Sequence, residues 1–91
     1  MELFDTRDIP EEGYYDENSQ YYYIYPKEEW KVDGEGDFLV IGAAGCDGIL
    51  FGLKKFDRRV WAYIPYENQY EILAKEYLEF ISGWLSGEIT V

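Results

Sequence analysis

Histidine is missing from this chain altogether, and cysteine and methionine occur once each. Without imidazole there is no Ser/His or Cys/His nucleophile pair, no histidine general base and no histidine-containing zinc site. The single thiol, Cys46, can form neither an internal disulfide nor a cysteine-rich metal site, which fits a reducing compartment. No apolar run reaches the length of a signal peptide or a membrane span, and the opening "MELFDTRD" is acidic where a targeting segment would be basic. The expectation is a cytoplasmic protein that needs no cofactor.

Positive charge is also scarce. Eight lysines and arginines stand against nineteen aspartates and glutamates, for a net charge of -11. Residues 1–37 hold twelve acids against Arg7, Lys27 and Lys31, leaving -9, while residues 38–91 hold seven acids against five bases, leaving -2. Such a field repels nucleic-acid phosphates and anionic lipid and favours encounter with a basic protein. It serves solubility equally well.

What the chain has is aromatic mass: ten tyrosines, five phenylalanines and three tryptophans, in a composition that is 47% hydrophobic. Disorder is excluded over most of the length, and 91 residues make one domain, 1–91. "DFLVIG", "ILFGL" and "RRVWAYI" read as three strands. "KKFDR" links the last two, and Pro65 ends the third because it offers no amide to a ladder. In "ENQYEILAKEYLEFISGWLSG", apolar residues recur at steps of three and four from Tyr70 to Leu85, which predicts an amphipathic helix over 68–86. Asn68 and Glu71 form its expected capping box, Gly83 or Gly87 its stop, and Leu73, Tyr77, Leu78, Ile81 and Trp84 its buried stripe. The fold class is therefore α+β: a small antiparallel meander over 38–64 with a C-terminal amphipathic helix packed on it.

The first 37 residues are less regular. "LFDTRDIPEE" predicts a short helical turn with Thr6 as cap, and "YYYIYP" a strand ending at proline, as an edge strand does. "EEGYYDENSQ" and "KVDGEGD" read as exposed loops.

Several stretches invite a chemical reading. The glycines of "FLVIGAAGCDGILFG" match neither the Walker loop, which needs a lysine and a hydroxyl after its last glycine, nor the dinucleotide fingerprint, which must lead into a helix. Positive φ and close approach at a strand turn account for them better. Cys46 has no histidine and no helix N-terminus to lower its pKa. "DGEGD" starts like a calcium loop but places Phe38 and Ala44 where glycine and glutamate belong. The pairs Glu11–Glu12 and Glu28–Glu29 are of the kind used in glycoside hydrolysis, yet nineteen acids make neighbouring pairs common. The expectation is not an enzyme.

The more suggestive cluster is "EEGYYDENSQYYYIY", which holds six of the ten tyrosines among acids. Tyrosine supplies large contact area at low entropy cost, and acids beside it suit an arginine-rich partner. Glu11, Glu12, Tyr14, Tyr15, Asp16, Glu17, Tyr21, Tyr22 and Tyr23 are the candidate partner-binding residues, with packing of alternate tyrosines over the sheet as the structural reading of the same pattern.

The order of "ELFDTRDIPE", an acidic loop, "FLVIGAAGCDGILFGL", "RRVWAYIP" and "AKEYLEFISGWLSG" resembles the SUKH superfamily of fungal cell-wall assembly regulators and bacterial immunity proteins. Leu3 to Ile9, Ile41 and Gly42, Gly45 to Gly48, and Glu79 to Ile81 carry the likeness. It implies a single SUKH-like domain that is non-catalytic and binds another protein, as an immunity protein binds and neutralises a toxin. A scaffold or regulatory interaction protein unrelated to toxins is the alternative. The family's opening helical layer has no counterpart here, so the resemblance further implies either a compact variant of the family or a sheet face covered by a partner or a second copy, most simply in a homodimer.

Overall fold

The structure, a computed structural model, describes residues 3–33 and 36–91. The apolar run Phe38–Ala43 forms β4, buried along its whole length, so it can only be an interior strand. It turns back into β5 (Leu50–Lys54), which pairs with β6 (Val60–Ile64), giving the expected antiparallel meander. Gly45, Asp47 and Gly48 in the β4–β5 turn all have positive φ, which is why glycine recurs there.

Four further strands complete the sheet. Tyr14–Asp16 (β1), Tyr21–Ile24 (β2), Lys31–Asp33 (β3) and Gln69–Ala74 (β7) join it in the order β1-β2-β4-β5-β6-β7, with β3 pairing β4. Segments read as loops therefore contribute β1 and β3. β2 is covered on its far side by β1 and so is not an edge strand. The Gly34–Glu35 tip of the second expected loop lies outside the described residues, as do Met1 and Glu2. Among the described residues near the N-terminus the expected short helical turn is a single hydrogen-bonded turn and not a helix. The Ile9 amide donates to the Thr6 carbonyl (3.0 Å), and Phe4 and Ile9 enter the core.

The expected helix over 68–86 is corrected in its first half, over residues 68–76. Helix α1 spans Tyr77–Ser86, and residues 69–74 are strand β7. Asn68 caps nothing. It takes a left-handed φ of 51° in the β6–β7 turn, where its Oδ1 accepts the Tyr63 hydroxyl (2.8 Å) and its amide donates to the Pro65 carbonyl (3.1 Å). Glu71 lies opposite Ala62 on the sheet. The reach-back expected of Glu71 is made instead by Glu79, whose Oε1 accepts the Lys75 amide (3.0 Å) just before α1. Gly87 stops the helix in a left-handed conformation, as expected. Tyr77 and Phe80 are buried and Trp84 and Ile81 half-buried against the core, but Leu78 is 55% exposed. Counting the helix from Asn68 misplaces its axis, and with it Leu78.

The face of the sheet away from α1 is partly covered by its own side chains. Gly52 has no Cβ, and one there would strike the Phe38 ring, so that ring lies across β5 and meets Tyr70 edge-on (5.1 Å). Tyr63 adds to the cluster, and the Lys54 ammonium sits over the Trp61 and Tyr70 rings (4.1 and 4.3 Å). In the β5–β6 loop, Asp57 accepts Arg59 Nε and Nη2 (2.9 and 2.8 Å), the Arg59 amide (2.9 Å) and the Trp61 indole N–H (3.3 Å). The Arg59 side-chain bond above all holds the Asp57 carboxyl down from 3.8 to about 2. A depressed folded pKa stabilises the native state above the unfolded value and loses that contribution as pH falls through the folded one. Half exposure of Arg59 screens the pair, so about 1 kcal/mol of stability should disappear between roughly pH 4 and pH 2. Asp57→Asn should flatten this limb in acid denaturation followed by circular dichroism. An unchanged limb would assign it to other carboxylates.

Candidate functional site

The acidic tyrosine cluster folds as the β1–β2 hairpin at one end of the sheet. Gly13 admits it: its φ is +75°, and a Cβ there would run into the Ile24 carbonyl. A bulge between Tyr14 and Tyr15 resets the register, so Tyr14 faces Ile24 while Tyr15 faces Tyr22 and Asp16 faces Tyr21. The turn is closed by Asp16, whose Oδ2 accepts the Ser19 amide (3.1 Å) and hydroxyl (2.7 Å).

Strand geometry sorts the nine candidates. Tyr15 and Tyr22 form an exposed edge-to-face pair with centroids 4.9 Å apart. Tyr21 and Tyr23 are half-buried neighbours (5.5 Å), and Tyr23 leads on to Trp84 of α1 (5.6 Å). Tyr14 packs against the core. The tyrosine run is therefore divided between packed and displayed rings. Glu12 and Glu17 are exposed; Glu11 is exposed but pairs with Lys27 Nζ (3.4 Å), and its carbonyl accepts the Lys27 amide (2.7 Å). Asp16 is half-buried and committed to its own turn. The displayed set is Glu11, Glu12, Tyr15, Glu17 and Tyr22.

Beside this hairpin lies an open groove of about 440 Å³ between the β1–β2 turn, the β4–β5 turn and the end of α1, lined by Asp16, Tyr23, Cys46, Trp84, Leu85 and Ile89. Sequence reasoning missed it. Trp84 and Leu85 belong to the helical stripe, and no local signal says that β2 brings Tyr23 against them. At the other end of α1, burial above all, with Tyr14 and Glu12 adding, pushes the Tyr77 phenol up to about 12, so it stays neutral throughout the physiological range. Cys46 is exposed in its turn.

Among the described residues no group of three or more cysteines, aspartates or glutamates is arranged to hold a metal ion, and no helix is long and apolar enough to cross a membrane. No family model, no curated protein and no solved structure matches the chain.

Proposed function

We propose that this chain is a cytoplasmic protein-binding domain that engages a basic protein through the β1–β2 hairpin, in the manner of an immunity protein that neutralises a toxin. The carrying observation is the exposed Tyr15–Tyr22 ring pair at the sheet's end, flanked by Glu11, Glu12 and Glu17 in the half of the chain that carries -9. Acids spread around paired aromatics give long-range attraction for a basic surface and a rigid apolar anchor on contact. The toxin reading rests on the resemblance to the SUKH superfamily. A scaffold role would use the same surface.

The two parts of the surface act on different rates. With a basic partner, Glu12→Lys/Glu17→Lys should slow association and remove most of its salt dependence, because those acids steer the encounter. Tyr15→Ala/Tyr22→Ala should instead raise the dissociation rate about tenfold, the usual size for losing aromatic anchors. Asp16 is spared because its replacement would open the turn. For a toxin partner encoded beside this chain, wild type should rescue growth on co-expression and both double variants should fail. If both variants bind as fast and as tightly as wild type from low to high salt, the hairpin is not the contact surface.

A further inference from the structure

We propose that β7 is a self-pairing edge: two copies of this chain join antiparallel about a two-fold axis at Ile72, continuing the sheet from one protomer into the other. β7 ends the strand order and, among the described residues, pairs with β6 alone, which leaves a row of its backbone N–H and C=O groups facing outward. It runs for six residues with one bulge, at Leu73 near its end, whereas β1 at the opposite end has three residues and acids on either side. Edges are commonly blunted by proline or lysine, and "QYEILA" contains neither. Two of its side chains, Tyr70 (38%) and Ile72 (49%), are exposed apolar groups.

Charge selects a second copy as the occupant. A protein of net charge -11 resists meeting itself except where charge is sparse, and residues 60–75 carry only Glu67, Glu71 and Lys75. A basic segment would find a single carboxylate on this strand. Because β1 and β7 terminate opposite ends of the strand order, joining through β7 sets the two acidic hairpins at the far ends of the combined sheet. Repulsion between them is then least, and both hairpins stay open.

The register follows from the same residues. Residues directly opposite across a two-fold axis perpendicular to the sheet must share a face. An axis at Glu71 would oppose two carboxylates. An axis at Ile72 sets Ile72 against its own copy and Glu71 against Leu73, covering the exposed Ile72 side chain, and the bulge at Leu73, which turns Ala74 to the other face, ends the pairing there.

Sedimentation of the full chain over a wide concentration range, combined with amide hydrogen exchange, tests the proposal. A monomer–dimer equilibrium is expected, with amides of residues 69–74 gaining protection as concentration rises while those of residues 14–16 do not. Ile72→Lys, at an exposed position, should fold normally and weaken dimerisation at least about tenfold, because two ammonium groups would face each other. In a Cys46→Ser background, Ile72→Cys should oxidise to a disulfide-linked dimer and Tyr15→Cys should not. A monomer at every concentration would overturn the proposal. So would a dimer whose β7 amides exchange as in the monomer, since that dimer would use the face of the sheet and not its edge.

Discussion

Phe80→Ala is expected to remove about 3–5 kcal/mol of unfolding free energy, the usual cost of emptying a phenylalanine site in a core. A chain of this size holds roughly 5–14 kcal/mol in all, so the variant should be largely unfolded under mild stress. The ring is fully buried and meets Phe51 edge-on (4.8 Å), with Trp84 (6.2 Å) and Tyr77 (6.4 Å) around it. Phe51 lies on β5 in the middle of the sheet, so this contact fastens α1 to the sheet. Leu78→Asp, two residues earlier on the same helix, should change stability by no more than about 1 kcal/mol, because the side chain is 55% exposed and the new charge stays in water. Urea unfolding of the two variants beside wild type separates them. If Leu78→Asp unfolds and Phe80→Ala does not, α1 presents a different face to the sheet.

That contrast shows where the sequence stops being legible. Between Asn68 and Ala74 the apolar residues satisfy a helical spacing and, through Tyr70, Ile72 and Ala74, an alternating one. Nothing local chooses between them. The choice is made by β6, which would otherwise end the sheet with Trp61 and Tyr63 unpartnered; the Tyr63 ring meets Tyr70 at a tilt (4.9 Å), and Trp61 pairs with Ile72. The meander over 38–64 was readable because the Gly45–Gly48 turn and Pro65 bound strands of ordinary length. β1 and β3 were not readable, being three-residue strands of Tyr-Tyr-Asp and Lys-Val-Asp that form because β2 and β4 offer them edges. The candidate site divides the same way. Its acids and tyrosines are visible as composition, while the display of Tyr15 and Tyr22 and the packing of Tyr14 depend on a bulge that composition does not announce.

Gly42→Ala should loosen the hairpin from the rest of the molecule. β2 meets β4 in register at one pair, Ile24 with Gly42, reinforced by the Tyr25 amide donating to the Ile41 carbonyl (2.7 Å). A Cβ on Gly42 would collide with the Tyr23 carbonyl oxygen and stand 3.0 Å from the Ile24 Cα. Both are backbone atoms, so no rotamer change can clear them, and β2 itself must retreat. Overpacking of this kind costs about 1–3 kcal/mol, which in a domain of this length lowers the melting temperature by roughly 5–20 °C. The damage should be uneven. Amides of Tyr21–Ile24 should exchange faster than those of β5 and β6, because β2 is the strand that must retreat, while β5 and β6 keep their pairing with each other and the Phe51–Phe80 contact beneath them. Partner binding through Tyr15 and Tyr22 should weaken in parallel, since a hairpin that moves must be ordered again on contact. A Gly42→Ala chain that melts with wild type and keeps slow exchange at Tyr21–Ile24 would mean that β2 is held by contacts other than the close approach at Gly42.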